Sequence, residues 1–293
     1  MVETLYQDKN HKIDFYRSVS PARGLVYTFT SIAFSDLNAS GFGVHFLLGL
    51  GYDVVAFKCN NASWYQGLDF DTVRAVGRKS SGYEQVATYG TSMGGYAAIL
   101  FSKALGANLV LALSPQFSLA ESFEQRWRDK TKGVEWRHEI SAETIAAQAT
   151  YMILYDDKFM LDVRQMAGLK AILPPLATHM VGIPFSNHHT IVFLLETGQL
   201  TAIVTSILRG DGMIAVKYLW SKISKSAEYL HSLGLHAQSL GRLRLARLCL
   251  KRCVAIRPND VKFSRLLSEL QNGREVFANA GRVAGPSLKE PSL

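Results

Sequence analysis

The sequence predicts an α/β fold, with a mostly parallel sheet flanked by helices, followed by a C-terminal α-helical tail. Short apolar runs bounded by turn residues alternate with helical patterns over residues 20–210. One of these runs leads through a glycine-rich turn directly into a helix. Beyond residue 212 the strand-like runs stop, and helical periodicity continues.

The strands are predicted where the apolar runs are short and rich in β-branched or aromatic residues. Helices are expected between them, and strands that alternate with helices imply parallel pairing with right-handed crossovers. The predicted strands are 25–30, 52–58, 85–89, 108–113, 150–155 and 178–183. The predicted helices are 44–48, 70–78, 96–100, 162–173 and 191–208, the last with a break near Gly198.

Composition favours a folded protein of a reducing, cytoplasmic compartment. Of 293 residues, 48% are apolar and 19% are charged, which is typical of a chain with a large core. No run reaches about 18 apolar residues, so no membrane span is predicted, and residues 1–9 lack the apolar core of a secretory signal. The three cysteines form no disulfide framework and no zinc-ligand pattern, so no metal is implied.

The net charge of +8 is concentrated in the tail. Residues 1–214 hold 18 Lys and Arg against 19 Asp and Glu, whereas residues 215–293 hold 14 against 5, so the net charges are −1 and +9. Nucleic-acid binding by this tail is not expected, because aromatic side chains are not interleaved with the basic ones.

The glycine-rich turn at residues 90–95 predicts an activated serine. It reads Gly-Thr-Ser-Met-Gly-Gly between a strand and a helix, and this context makes a nucleophile elbow. Gly90 and Gly94 supply the small neighbours that a sharply turned Ser92 needs, and Gly95 lets the helix pack close to the strand. Because a helix begins beneath Ser92, negative charge is favoured there.

This motif resembles the nucleophile motif of the α/β-hydrolase superfamily. The resemblance of the chain to that superfamily covers residues 20–210. Residues 92–97, Ser-Met-Gly-Gly-Tyr-Ala, are similar to bacterial esterase-like proteins linked to surface polysaccharide and to accessory secretion of glycoproteins. The resemblance implies a hydrolase domain over residues 1–212, with a cap at 114–148. That segment is long and rich in charge and aromatics, and a solvated helical excursion is the alternative interpretation.

The superfamily's order of serine, acid and histidine, each after a strand, is also present. His188 and His189 follow the last predicted strand, and both remain candidates for the base, with His188 favoured for its longer loop. For the acid, Asp157 ranks first because it lies just past a strand end, followed by Asp162 and Asp156. Asp162 has a second interpretation as a helix cap.

The oxyanion hole is expected to use the backbone N–H of Met93 and a second N–H after the first core strand, at Ser31 or Ile32. The sequence therefore predicts a serine esterase or acyltransferase that needs no cofactor and acts on a small or carbohydrate-linked acyl substrate. The alternative is a catalytically inactive, hydrolase-like scaffold whose helical tail docks a partner.

The tail, residues 213–293, resembles a single tetratricopeptide repeat between Leu230 and Pro258. Gly234, Gly241 and Ala246 stand where the helices of such a repeat touch. An ordinary helical hairpin is the alternative. A lone repeat cannot bury its own apolar face, so we expect it to pack on flanking helices, on the hydrolase domain or on a protein partner. After about residue 279, the composition suggests a frayed end.

Overall fold

The computed structural model describes residues 2–19, 21–32, 36–211 and 219–272. Eight strands form one sheet in the order β1-β2-β4-β3-β5-β6-β7-β8. The strands are β1 Val2–Gln7, β2 His11–Tyr16, β3 Leu25–Phe29, β4 Asp53–Cys59, β5 Val86–Thr91, β6 Leu109–Leu113, β7 Thr150–Tyr155 and β8 Thr178–Gly182. The neighbouring strands from β4 to β8 pair in parallel, and β2 is antiparallel to both of its neighbours.

Helices cover both faces of the sheet, as an apolar parallel sheet requires. One core contains side chains of α2 Phe70–Gly77, α3 Met93–Leu100 and α4 Met160–Ile172. The other contains side chains of α1 Val44–Gly49, α5 Thr190–Glu196 and α6 Leu200–Leu208. Strands β3 to β6 are buried along their full length, so their apolar runs are explained by helices on both sides.

The six predicted strands are all present, and the predicted fold class is confirmed. The β1–β2 hairpin was not predicted from the sequence. Its outer strand is largely exposed and reads Val-Glu-Thr-Leu-Tyr-Gln, so it lacks the apolar run that marks the interior strands. Pairing with β4 through β2 makes it the edge of the sheet.

Residues 114–149 contain no helix or strand, so the helical excursion considered above does not form. The segment packs on the carboxyl side of the sheet through glutamines. Gln165 of α4 accepts hydrogen bonds from the backbone N–H groups of Phe117 and Ser118. Gln66 likewise accepts from the N–H groups of Arg137 and His138.

The described part of the tail is helical. It comprises the kinked 3₁₀ segment Leu219–Lys225 and three helices, α7 Ala227–Ser239, α8 Leu243–Ile256 and α9 Val261–Gln271. The three helices bury an apolar cluster between them that includes Leu250 and Leu266. The first of the flanking helices is expected over residues 214–225, and its start at 214–218 lies outside the described residues, as does the frayed end expected after about residue 279.

Candidate active site

Strand β5 ends at Thr91, and the next residue, Ser92, makes the sharp turn into α3. Its backbone has φ 53° and ψ −121°, a strained conformation for a residue with a side chain. A Cβ at Gly90 would lie 2.2 Å from the carbonyl oxygen of Gly94, so only glycine fits there. A Cβ at Gly94 would lie 2.3 Å from the carbonyl oxygen of Phe29, which brings the end of β3 against the turn. The local geometry is that of a nucleophile elbow.

His188 lies in a short 3₁₀ turn, Asn187–His189, after β8. Its Nε2 is 2.8 Å from the Oγ of Ser92. The ring is mostly buried and lies 5.8 Å, between centroids, from the ring of Trp127. Of the two candidate histidines, His188 is therefore the one that reaches the serine.

The carboxylate that reaches His188 belongs to Asp162, in the first turn of α4. The Nδ1 atom of His188 lies 2.9 Å from Oδ1 and 3.2 Å from Oδ2 of this residue. Asp162 is fully buried, and Arg126 donates a second hydrogen bond to it at 3.2 Å. Burial opposes the charge of Arg126, but its hydrogen bond to Glu124 and the charge of Asp162 raise the pKa of Arg126. Asp162 is not the N-cap of α4, which is Phe159.

The first-ranked acid, Asp157, is placed elsewhere. Its side chain packs against Gly182 of β8 and lies 3.6 Å from Lys158, with 36% of it exposed. A turn at residues 156–159 follows β7, and the first turn of α4 then places Asp162 against His188. Proximity to the strand end along the chain was therefore a poor guide to the residue that reaches the ring.

The carboxylate of Asp156 binds the backbone of the loop that carries His188. Its Oδ1 accepts hydrogen bonds from the N–H groups of Phe185 and Lys158, and its Oδ2 accepts from that of Asn187. Burial raises the pKa of Asp156, against the effect of these backbone donors. Asp156 therefore fixes the backbone that carries His188.

His189 faces away from Ser92 and toward the tail. Its Nδ1 is 2.6 Å from Oε1 of Glu228 in α7, and 54% of its side chain is exposed. Burial opposes the charge of Glu228, but the hydrogen bond to His189 and the charge of His189 lower the pKa of Glu228. The adjacent histidines thus join different parts of the molecule.

The predicted oxyanion donors lie around the elbow. Met93 is the first residue of α3, and an N–H at that position has no acceptor within its own helix. Ser31 and Ile32 follow β3, whose end packs against Gly94. The end of β3 and the first turn of α3 are therefore in close contact at Gly94.

Three residues at the site were not assigned a role from the sequence: Gln116, Arg126 and Trp127. The last two lie in the segment noted for charge and aromatics, but their contacts depend on how an irregular segment packs. The sequence position of Gln116 carries only a weak indication of a role at the site. Gln116 lies just beyond β6, the strand next to β5. Carboxyl ends of neighbouring parallel strands meet at one edge, so its position could have suggested a role.

Backbone strain is concentrated at the carboxyl edge of the sheet, where Ser92 lies. Six non-glycine residues with positive φ occur in the described chain, and all follow the carboxyl ends of β4, β5, β6 or β8. They are Trp64, Tyr65, Ser92, Ser114, Phe185 and Asn187. Strain of this kind persists where the surrounding structure fixes it, and it is common at active sites.

The described residues contain no group of three or more His, Cys, Asp or Glu side chains placed to hold a metal ion. No single helix among them is long and apolar enough to cross a membrane. The segments Asn187–Glu196 and Leu200–Leu208 reach that length and apolarity only together, and they are bent by 100°.

The fold matches solved structures of low sequence identity. The capsule O-acetyltransferase of Neisseria meningitidis serogroup A aligns with a TM-score of 0.50 and 14% identity, covering 70% of this chain and 93% of that one. An esterase from Pyrococcus furiosus aligns with a TM-score of 0.50 and 15% identity, covering 72% and 90%. No family model and no curated protein sequence matches the chain. The fold is that of the α/β-hydrolases.

Proposed function

We propose that this protein is a serine hydrolase or acyltransferase that acts on an ester or related acyl bond through an acyl-enzyme. The observation that carries the proposal is the continuous hydrogen-bond chain from Ser92 through His188 to Asp162, with lengths of 2.8 and 2.9 Å. Serine needs a base within this reach, and the base needs a third group to orient it.

In the first half-reaction, the Oγ of Ser92 attacks the acyl carbon while its proton passes to Nε2 of His188. Asp162 holds the ring with its proton on Nδ1 and stabilises the imidazolium that forms. The N–H of Met93, with a donor at Ser31 or Ile32, binds the oxyanion. His188 then gives its proton to the leaving oxygen, and the Ser92 ester remains. Water or an acceptor hydroxyl releases the acyl group by the reverse sequence.

We propose that the substrate is a small-molecule or carbohydrate-linked acyl ester. The proposal rests on the resemblance of residues 92–97 to polysaccharide-linked esterases. The site needs no cofactor for this chemistry, because nucleophile, base, orienting acid and oxyanion donors all come from the chain.

Labelling with a fluorophosphonate probe tests the proposal. Wild-type protein should be labelled covalently, and Ser92→Ala should lose the label while keeping its melting temperature, because only the attacking oxygen is removed. Ser63→Ala, a change at a serine outside the hydrogen-bond chain, is the control and should label normally. Equal labelling of wild type and Ser92→Ala would refute the proposal and favour the inactive scaffold.

A further inference from the structure

A buried amide touches both reacting groups of the site. Gln116 is fully buried, and its Nε2 lies 3.2 Å from the Oγ of Ser92 and 3.1 Å from Nε2 of His188. On the other side of the amide, Trp64 donates from its indole nitrogen to Oε1 of Gln116 at 3.3 Å. The three atoms at the reacting centre therefore form a nearly equilateral triangle.

The contacts fix which way the amide faces. An indole N–H can only donate, so the oxygen of Gln116 must face Trp64 and the nitrogen must face Ser92 and His188. An amide nitrogen can only donate as well, so Nε2 of His188 must accept. Its proton is then on Nδ1, toward Asp162, which is the tautomer that a general base needs.

The backbone that carries Gln116 is held by its neighbours. A Cβ at Gly95 would lie 3.2 Å from the side chain of Pro115, so α3 and the residue before Gln116 are in close contact. On the other side, the N–H of Phe117 is bound by Gln165 at 2.7 Å. The side chain can therefore leave the triangle only by rotating, while its backbone stays in place.

The position of this amide is one that the reaction also requires. A leaving oxygen, and later an acceptor oxygen, must lie within hydrogen-bond distance of Nε2 of His188 and next to the acyl carbon on Ser92. The amide nitrogen of Gln116 occupies a point that satisfies both demands. When His188 becomes protonated its Nε2 turns into a donor, so the amide N–H can no longer bind there.

We propose that Gln116 is a positioning residue that controls which acceptor reaches the acyl-enzyme, an inference that rests on the proposed function. In the acyl-enzyme, the amide closes the acceptor position. An entering O–H must displace it, pass its proton to His188 and form the new bond to the acyl carbon. The bond from that carbon to Ser92 then breaks, and His188 returns the proton to the serine oxygen.

The side-chain amide of Gln116 thus acts as a gate at the acceptor position. This gate favours a polyhydroxyl acceptor over water. Rotation of the amide breaks its hydrogen bonds to Ser92, His188 and Trp64, and a buried donor left unpaired is costly. A carbohydrate acceptor has neighbouring hydroxyl groups that can bind the displaced amide while one hydroxyl reacts. A single water molecule offers one oxygen for both tasks. Gln116 thereby selects transfer to a carbohydrate-like hydroxyl over hydrolysis.

Partitioning of an acetyl-enzyme tests this selection. Full-length protein is acetylated with p-nitrophenyl acetate, and acetate and acetylated methyl glucoside are measured with and without methyl glucoside. In Gln116→Ala, release to water should be at least about fivefold faster, and the ratio of transfer to hydrolysis should fall by a similar factor, because one or two hydrogen bonds no longer oppose water entry. Trp64→Phe should act in the same direction but less, since the amide stays and loses only its fixed orientation.

Gln125→Ala is the matched control, because Gln125 is an exposed glutamine of the same segment, and its partition ratio should equal that of wild type. Melting temperatures are compared throughout. If Gln116→Ala does not fold, Gln116→Asn, which is one methylene shorter, is expected to behave in the same way. A partition ratio within twofold of wild type, or slower acylation and deacylation together, would overturn the gate.

The same experiment separates this inference from the proposed function. If wild-type protein forms an acetyl-enzyme that Ser92→Ala does not form, while Gln116→Ala leaves the partition unchanged, the gate alone is overturned. If wild-type protein forms no acetyl-enzyme and takes no fluorophosphonate label, the proposed function is overturned, and the gate with it.

Discussion

Asp162 is held between a ring and a guanidinium, and this pairing makes a buried carboxylate tolerable. It lies 2.9 Å from His188 and 3.2 Å from Arg126, both within hydrogen-bond range. A buried carboxylate without such partners would carry a large desolvation cost. Arg126 is in turn bound by Glu124 through two nitrogens, at 2.8 and 2.5 Å. The segment at residues 114–148 therefore takes part in holding the acid of the proposed triad.

Replacing each carboxylate by its amide should distinguish the role of Asp162 from that of Asp157. We expect Asp162→Asn to lower the turnover of an activated ester by a factor on the order of 10³ to 10⁴, because the ring loses the partner that holds its tautomer. Asp157→Asn is the matched control and should stay within about tenfold of wild type. Steady-state turnover of p-nitrophenyl acetate measures both. Equal losses in the two variants would contradict the assignment of Asp162.

Ser92 and the histidine pair could be predicted as candidates because local patterns mark them. A Gly-x-Ser-x-Gly turn between a strand and a helix is visible in six residues, and the histidines follow a strand after a short loop. The acid and Gln116 were harder, because their roles depend on where the chain returns after a turn. Asp157 and Asp162 are five residues apart, and the turn after β7 decides which of them meets His188.

Helix α7 contains a histidine in an environment that opposes its charge. His231 is buried, its ring lies 5.4 Å from that of Phe263, and neither ring nitrogen has a hydrogen-bond partner among the residues that the structure describes. Burial, together with the charge of Lys262, lowers the pKa of His231 to about 4, although Glu228 and Asp260 act in the opposite direction. His189 adds a smaller lowering effect. The folded helix therefore holds this side chain neutral.

This histidine should make stability depend on pH. In the unfolded chain its pKa is about 6.5, so below that pH the unfolded state binds a proton that the folded state excludes until about pH 4. The free energy of unfolding should fall as pH is lowered through this window, by about 2 kcal/mol between pH 7 and pH 5. Urea titrations at the two pH values measure the difference.

His231→Leu should remove most of that pH dependence. His236→Leu, at an exposed position of the same helix, should retain it. Glu228 contributes with the same sign but at lower pH, because its pKa is lowered from an already acidic value. A pH dependence that is identical in wild type and His231→Leu would show that His231 is not its source.

The elements themselves were largely predictable, and the exceptions have a common cause. Interior strands and amphipathic tail helices show their burial as an apolar pattern. The β1–β2 hairpin lies at the sheet edge and does not, and residues 114–149 are fixed by glutamine side chains such as Gln66 and Gln165. Hydrogen bonds of this kind leave no periodic signal in the sequence.

At the scale of the whole molecule, the tail packs against the part of the domain that carries His188. Glu228 binds His189, and Ser226 donates to Glu196 of α5 at 2.7 Å. The ring of Tyr229 lies 5.9 Å from that of Phe185 and 6.3 Å from that of Phe193. Arg257 of the tail adds an ion pair of 2.5 Å to Glu196. These contacts support packing within the chain over docking on another protein.

Loosening these contacts should affect both stability and turnover. We expect Tyr229→Ala to destabilise the protein by about 2–3 kcal/mol, because packing against Phe185 and Phe193 is lost.

Glu228→Gln should lower turnover several-fold through the loop that carries His188, while fluorophosphonate still labels Ser92. Thermal unfolding and ester turnover measure the two effects.

Glu269→Gln is the control on α9, where the ion pair with Arg265 lies at the surface, and it should change neither quantity measurably. A chain that ends at residue 212 tests the same packing. If that chain is a soluble monomer with unchanged melting temperature and activity, the tail does not stabilise the domain.

His188 and His189 share one peptide bond, and their rings bind Asp162 and Glu228 respectively. Thermodynamic linkage gives this adjacency a reciprocal meaning. If the packing of the tail multiplies the affinity for a ligand at Ser92 by some factor, then occupation of Ser92 strengthens the packing of the tail by the same factor. Occupation of Ser92 would then change the stability of α7. A molecule that binds the packed and the unpacked tail with different affinities would in turn change the affinity at Ser92.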